Sequence, residues 1–340
     1  MTHAQDLNYY RPAKPGKAEL IECDVLAYGG TPTGVAAAIQ AARSGKKAIL
    51  LSFNRHVGGL TSGGLTATDI GNKASIGGIA LEFYEKTGKI ADFRPAEAEA
   101  LFLKMLAEAG VQVHFESRLE SVKMKDGQLL SLTMENGKTY KAAMFIDGTY
   151  EGDLMAAANV SYYVGREPVA TYNESLAGQW QKISWLNIYQ FCRLPLSPYK
   201  EVGNPKSGLL PEIATESPGK EGEGDYKVQA YNFRMFLSKE EDRIPFPKPQ
   251  GYDVDRYDLL ARFLNFDPQP KWTLNYATAP MTDGPVQLRT GDGNNAGSFS
   301  TDYVGGNYQW PDGTYKPGSF TELPAPQRGL PVPLLKLYEI

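Results

Sequence analysis

With 340 residues, 42% of them hydrophobic and 22% charged, the chain has material for about two domains with their own cores. Its net charge of −4, with no clustered run of Lys and Arg, argues against a nucleic-acid partner or an anionic membrane surface. Two cysteines, Cys23 and Cys192, are too few and too far apart for a disulfide framework or an all-cysteine zinc site, and no CxxC pair exists for a dithiol relay.

The first twenty residues, MTHAQDLNYYRPAKPGKAEL, have neither an apolar centre nor a small-residue cleavage site. They read as a tail (residues 1–20) and not as a signal peptide. No apolar run approaches the ~20 residues that span a bilayer, so we expect a cytoplasmic protein. Next comes CDVLAY (23–28), a short apolar run ended by Gly29-Gly30, which suits a buried parallel strand. Val35, Ile39 and Ala42 then recur at helical spacing, and Gly45 ends that helix as a left-handed cap. KAILLS (47–52) supplies a second strand, which completes a right-handed βαβ unit.

Pro95 opens a helix through AEAEALFLKMLAEAG, and VQVHF follows as a strand. Three alternating runs come after it, joined by Asp126-Gly127 and Asn136-Gly137, dipeptides that favour tight hairpins. We expect an antiparallel meander there, after which MFIDGTYEGDL returns an apolar strand to the main sheet. Beyond residue 158 the composition changes: 18 of the 23 prolines lie at or after Pro195, and the elements become short. The expected organisation is a nucleotide-binding domain at 21–158 and a loop-rich α+β second domain at 159–340.

The turn YGGTPTG (28–34) carries chemistry. Free N–H groups at a helix start, with the helix dipole behind them, stabilise a diphosphate. The first glycine makes the bend and the third lets strand and helix pack closely, roles for Gly29 and Gly34. Thr31 replaces the second glycine, and its hydroxyl can itself donate to a phosphate oxygen. Pro32 suits the first helical turn. Ser52 ends the second strand, where an acid usually holds ribose hydroxyls. Directly after it, NRHVGGLTSGGLTATD (54–69) places two Gly-Gly pairs among Arg, Thr and Ser, supplying backbone N–H groups for a second, larger part of a ligand.

Together, YGGTPTGVAAAIQAARSGKKAILL, RHVGGLTSGGL, FIDGTYEGDLMAAANVSYYVGRE, YNFRMFLS and NNAGSFSTDYVGGNYQWPDG resemble the FAD-dependent oxidoreductase family whose members are often labelled xanthan lyase. The resemblance runs from Cys23 to the end of the chain. It implies the glutathione-reductase-like FAD fold: an FAD/NAD(P)-binding Rossmann-like parallel sheet with an antiparallel meander. It also implies FAD as cofactor and hydride transfer with a small organic substrate held by the second domain. In that family the GGTP form of the turn is normal. By the resemblance, Gly29, Gly30, Thr31, Pro32, Thr33 and Gly34 cradle the diphosphate, and Ser52 meets the adenosine ribose. Arg55, Gly58, Gly59, Thr61 and Ser62 follow the ribityl chain toward the isoalloxazine ring. Leu119 offers its backbone to adenine. Gly148 and Thr149 match the Ala-Thr pair of an ATG-like segment closing over the cofactor, with Tyr150 in place of its glycine.

No catalytic residue is singled out, because flavin carries the hydride itself. His56 is a base, a covalent attachment point or a loop histidine behind the cofactor; His3 lies in the tail and His114 in a strand. Asp69 stays open, while Glu151 and Asp153 read as capping acids, with Asp153 as a helix N-cap before LMAAA. Arg166 either clamps an anionic substrate or braces the domain junction. GDGNNAGSFSTD is no EF-hand, because the twelfth position from Asp292 is Tyr303, and it reads as a substrate-facing or plain surface loop. No metal site is expected, and the sequons at Asn159 and Asn173 matter only in a secreted protein.

The fold needs a closing strand and helix over the flavin ring, and none is legible after residue 158. We therefore expect an N-terminal portion of a longer protein, which retains most of the diphosphate site. An NAD-dependent dehydrogenase is the alternative enzyme, and an inactive flavin-fold fragment the alternative without turnover.

Overall fold

A computed structural model describes residues 16–64, 72–88, 94–179, 196–211, 213, 219–225, 236–237, 241, 251–264 and 291–292. They fall into two compact units, one ending at Tyr162 and the other beginning at Tyr163.

The first unit is a six-stranded sheet with helices packed on it. In chain order it comprises β1 (Glu19–Tyr28), α1 (Pro32–Arg43), β2 (Ala48–Leu51), α2 (Gly59–Ser62), α3 (Gly78–Thr87), α4 (Pro95–Glu108), β3 (Gln112–His114), β4 (Leu119–Lys125), β5 (Gln128–Met134), β6 (Lys138–Asp147) and α5 (Asp153–Ala157). The sheet order is β3-β2-β1-β6-β5-β4. β1 runs parallel to β2 and β6, while β4, β5 and β6 are antiparallel neighbours. This is the mixed, mostly parallel Rossmann-like fold that the sequence pattern implies.

Two expectations change. β1 begins at Glu19, four residues before the apolar run, because its polar start pairs with β6: Glu19 meets Lys138 at 3.5 Å and Glu22 meets Lys141 at 3.8 Å. The third run of the meander and the strand returning to the main sheet are one ten-residue element, β6. Its first residues pair with β5 and its whole length with β1, so the meander extends the parallel sheet instead of forming a separate one.

Leu26, Tyr28, Ile49 and Leu51 pack with Leu132, Met134 and Tyr140 of the meander strands in one core cluster. Ala27 and Leu50 point the other way, into Val35, Ile39, Phe102, Met105 and Leu106. Burial on both faces explains the uninterrupted apolar letters of these strands. Each such large side chain contributes about 1.5–3 kcal/mol relative to exposure. α3, which the sequence pattern leaves unassigned, closes the helical side by stacking Phe83 on Phe102 at 4.3 Å between ring centroids.

In the second unit, α6 (Val169–Tyr172) and α7 (Asp258–Leu264) are short, and β7 (Phe236–Leu237) pairs with β8 (Gly291–Asp292). Arg262 of α7 donates to the carbonyls of Ser197, Tyr199 and Lys200 and so fastens a loop. Among the described residues no helix is long and apolar enough to cross a membrane.

Candidate functional site

The carboxyl ends of β1, β2 and β6 lie side by side, the edge at which open α/β sheets bind ligands. Three segments leave that edge: 29–34, 52–59 and 148–152. Their contacts build the candidate site.

Gly29 turns the chain at φ +113°, a conformation that disfavours any side chain, and its N–H donates to Leu51 O at 2.9 Å. A Cβ there would lie 2.6 Å from the Gly148 carbonyl carbon, and one on Gly34 would overlap the Gly29 carbonyl. A Cβ on Gly148 would in turn lie 2.8 Å from the Gly34 Cα. These three glycines form one close backbone crossing between β1, α1 and the end of β6. Gly30 is closed off by Ser52 in the same way.

Thr31 is the N-cap of α1, and Pro32 takes its first position. The Thr31 hydroxyl accepts from Gly34 N at 3.4 Å and donates to the Gly148 carbonyl at 2.5 Å. A hydroxyl has one hydrogen, so the expected donation to a phosphate oxygen gives way to a clasp across the crossing. What the turn does present is backbone. The N–H groups of Gly30, Thr31, Thr33 and Gly59 have no acceptor among the described residues, although Gly30 and Thr31 are buried. Donors without a partner in the protein are open to an acceptor from a ligand or from water.

The hydroxyls behind the turn are spent inside the protein. Ser52 is buried, and its Oγ donates to His56 O at 2.7 Å. Its hydroxyl is thereby engaged with the loop under Gly30. Ser62 donates to Val57 O at 2.5 Å, and the Thr61 N–H to Gly58 O, so both tie their own loop. Arg55 pairs with Glu116 at 3.0 Å, beyond β3, and not along the Gly58–Ser62 segment. Gly58 and Gly59 both have positive φ, and the Gly58 N–H donates to Gly30 O at 2.6 Å, joining the second glycine pair to the turn. A side chain on Gly58 would run into the Phe102 ring.

On the third segment, Gly148 N–H donates to Tyr28 O at 2.7 Å. The Thr149 hydroxyl donates to Asp147 Oδ1 at 2.6 Å and accepts from Asp153 N at 2.9 Å. Thr149 therefore shapes the strap and starts α5. Tyr150 follows, and its hydroxyl accepts from Leu60 N at 2.8 Å. A Cβ on Gly59 would overlap that hydroxyl and lie 3.1 Å from Pro32 Cδ, so phenol, glycine pair and helix start share one corner. The sequence flags Tyr150 only as the residue standing where an ATG-like segment has glycine. Leu119 N–H donates to the Tyr28 hydroxyl at 3.0 Å, so that N–H is not available to an adenine ring.

His56 Nδ1 faces Glu99 of α4 at 3.0 Å, and Glu99 also accepts from Val57 N, which makes the pair a loop anchor. His114 bonds the Tyr140 hydroxyl at 2.7 Å, and burial lowers its pKa. Gly152, not Asp153, is the N-cap of α5. Desolvation, helped by the charges of Glu151 and Asp147, pushes the Asp153 carboxyl up to about 8, and its Oδ1 is buried without a partner. Arg166 forms a two-pronged pair with Asp225, and their backbones exchange bonds as well. The arginine thus braces the second unit from within. Asp69, His3, Cys192 and the loop beyond Asp292 lie outside the described residues. Among the described residues no cluster of His, Cys, Asp or Glu can hold a metal ion.

A family model described as "FAD dependent oxidoreductase" matches residues 24–317. Among solved structures, the chain is similar to a geranylgeranyl bacteriochlorophyll reductase-like protein of Thermoplasma acidophilum (17% identity over 42% of this chain and 43% of that one, TM-score 0.30). It is also similar to thioredoxin reductase of T. acidophilum (24%, 38% and 35%, TM-score 0.28). The bacillithiol disulfide reductase of Staphylococcus aureus gives 18% identity over 38% of each chain, with a TM-score of 0.30. Each of these matches spans less than half of the other protein. No curated protein matches the sequence.

Proposed function

Because the chain belongs to the FAD-dependent oxidoreductase family, we propose that the corner formed by residues 29–34, 58–60 and 148–150 holds the FAD diphosphate. We propose with it that the protein transfers hydride between this cofactor and a small organic substrate. The observation that carries the reading is the set of unpaired N–H groups on Gly30, Thr31, Thr33 and Gly59, gathered at the amino end of a twelve-residue helix. Phosphoryl oxygens satisfy such donors, and the helix dipole adds to their attraction. The glycine crossing holds strand and helix close at this turn, because side chains on Gly29, Gly30 or Gly34 would collide with the backbone or with Ser52.

In this reading the chain's residues divide the labour. Backbone N–H groups orient the diphosphate, Thr31 locks Gly148 across the turn, and Ser52, Ser62 and Thr149 keep their loops in place. Arg55, Thr61 and Leu119 act through the backbone or through ion pairs that hold the rim. FAD, when bound, supplies the hydride acceptor and donor at its ring. Residues 21–158 form the cofactor domain and 159–340 hold the substrate. Carbohydrate-related compounds are the first class to screen, in line with the xanthan lyase label of the glutathione-reductase-like subgroup that the sequence resembles.

The test is a titration of the full chain with FAD and, separately, with NAD⁺, followed by absorbance and fluorescence. Saturable FAD binding, with NAD⁺ much weaker, supports the proposal. Tight NAD⁺ binding without FAD binding would replace it by the dehydrogenase reading.

A further inference from the structure

We propose that Tyr150 is a fifth donor to the FAD diphosphate, giving its phenolic hydrogen to a phosphoryl oxygen beside the start of α1. This rests on the FAD reading above and adds a residue to it.

Three observations carry the inference. The phenolic oxygen accepts the Leu60 N–H at 2.8 Å, and its own hydrogen has no acceptor among the described residues. A phenol that accepts one hydrogen bond becomes a better donor of the next, so the Leu60 contact primes it. The hydroxyl also sits against Gly59, whose N–H is unpaired, in the same corner as Pro32 at the start of α1. Finally, Tyr150 as a whole is 47% exposed, so its ring is not sealed inside the fold. The phenol keeps its hydrogen at neutral pH in any case, and desolvation raises its pKa further.

The charge inventory points the same way. Arg55, the arginine nearest to Gly58 in sequence, is engaged by Glu116. A diphosphate in this corner then draws on backbone and hydroxyl donors, and each well-aimed donor counts. The replacement of a glycine by tyrosine in the ATG-like segment thus gains a purpose: the side chain supplies a donor at a place where glycine has only its backbone.

The experiment compares wild type with Tyr150→Phe by FAD titration and by ³¹P NMR of the bound cofactor. Removing a hydrogen bond to a charged group predicts an FAD Kd higher by about 10- to 100-fold, with one of the two ³¹P resonances displaced. A third sample carries 3-fluorotyrosine at position 150, whose more acidic hydroxyl donates more strongly and accepts more weakly. Tighter FAD binding by that sample supports donation to phosphate, and weaker binding assigns the hydroxyl to bracing Leu60 alone and overturns the proposal. Unchanged Kd and unchanged ³¹P shifts in Tyr150→Phe also overturn it while leaving the FAD reading intact. If wild type itself takes up no FAD, the underlying reading falls instead.

Discussion

Replacing Asp153 by Asn isolates a cost that the fold carries beside the candidate site. Its carboxyl ordinarily titrates at 3.8, and in the folded chain it titrates at about 8, chiefly through desolvation and then through Glu151 and Asp147. Between those values the folded state keeps a proton that the unfolded chain has released. Stability therefore falls as pH rises from about 4 to about 8, at up to about 1.4 kcal/mol per pH unit for this one group. Asparagine stays neutral in both states and removes that slope. The stability advantage of Asp153→Asn over wild type should grow by about 1 to 3 kcal/mol between about pH 5 and pH 7. The lower end applies where solvent reaches the carboxyl edge. Urea denaturation followed by circular dichroism, at constant ionic strength, measures it. Parallel pH profiles for the two proteins would refute the reasoning and mean that Asp153 ionises in the native fold at little cost.

The other predictions concern the turn. Thr31→Val keeps the shape but leaves the buried Gly148 carbonyl unpaired, which should lower stability by about 1–3 kcal/mol in the same denaturation assay. Gly34→Ala forces a methyl group into the Gly29 carbonyl; it should cost about 1–3 kcal/mol and abolish FAD binding even where circular dichroism shows a folded chain. Ser52→Ala removes a buried hydroxyl that bonds the protein, so stability should drop by about 1 kcal/mol while the FAD Kd stays within about twofold. A large Kd increase for Ser52→Ala with unchanged stability would instead assign the hydroxyl to the ribose.

The parts of the fold legible in the sequence are those where local chemistry and tertiary demand agree. Apolar runs buried on both faces mark β1 and β2, and Gly45 at φ +77° ends α1 as its spacing implies. Asp126 and Gly127, both at positive φ, make the tight turn between β4 and β5. Where a partner lies far along the chain, the letters fall short. The Thr31 hydroxyl reads as a phosphate donor until Gly148, 117 residues away, is seen to take its hydrogen. Ser52 and Ser62 read as ligand contacts for the same reason, and their acceptors are carbonyls that no pattern reveals. α3 escapes notice because it starts at Gly78 behind a Gly77 cap, without a side-chain cap to announce it. Tyr150 is visible as a departure from glycine, but its pairing with Leu60 needs the third dimension.

The proposed site stands or falls on whether the backbone N–H groups of Gly30, Thr31, Thr33 and Gly59 receive the FAD diphosphate. An amide ¹H–¹⁵N spectrum of the labelled chain, recorded during FAD titration, decides it. These four amides should move downfield together and saturate at the Kd found by fluorescence, with the amides of β4 and β5 little changed. FAD binding that leaves the four amides in place would overturn the site, because the cofactor would then sit elsewhere on the chain.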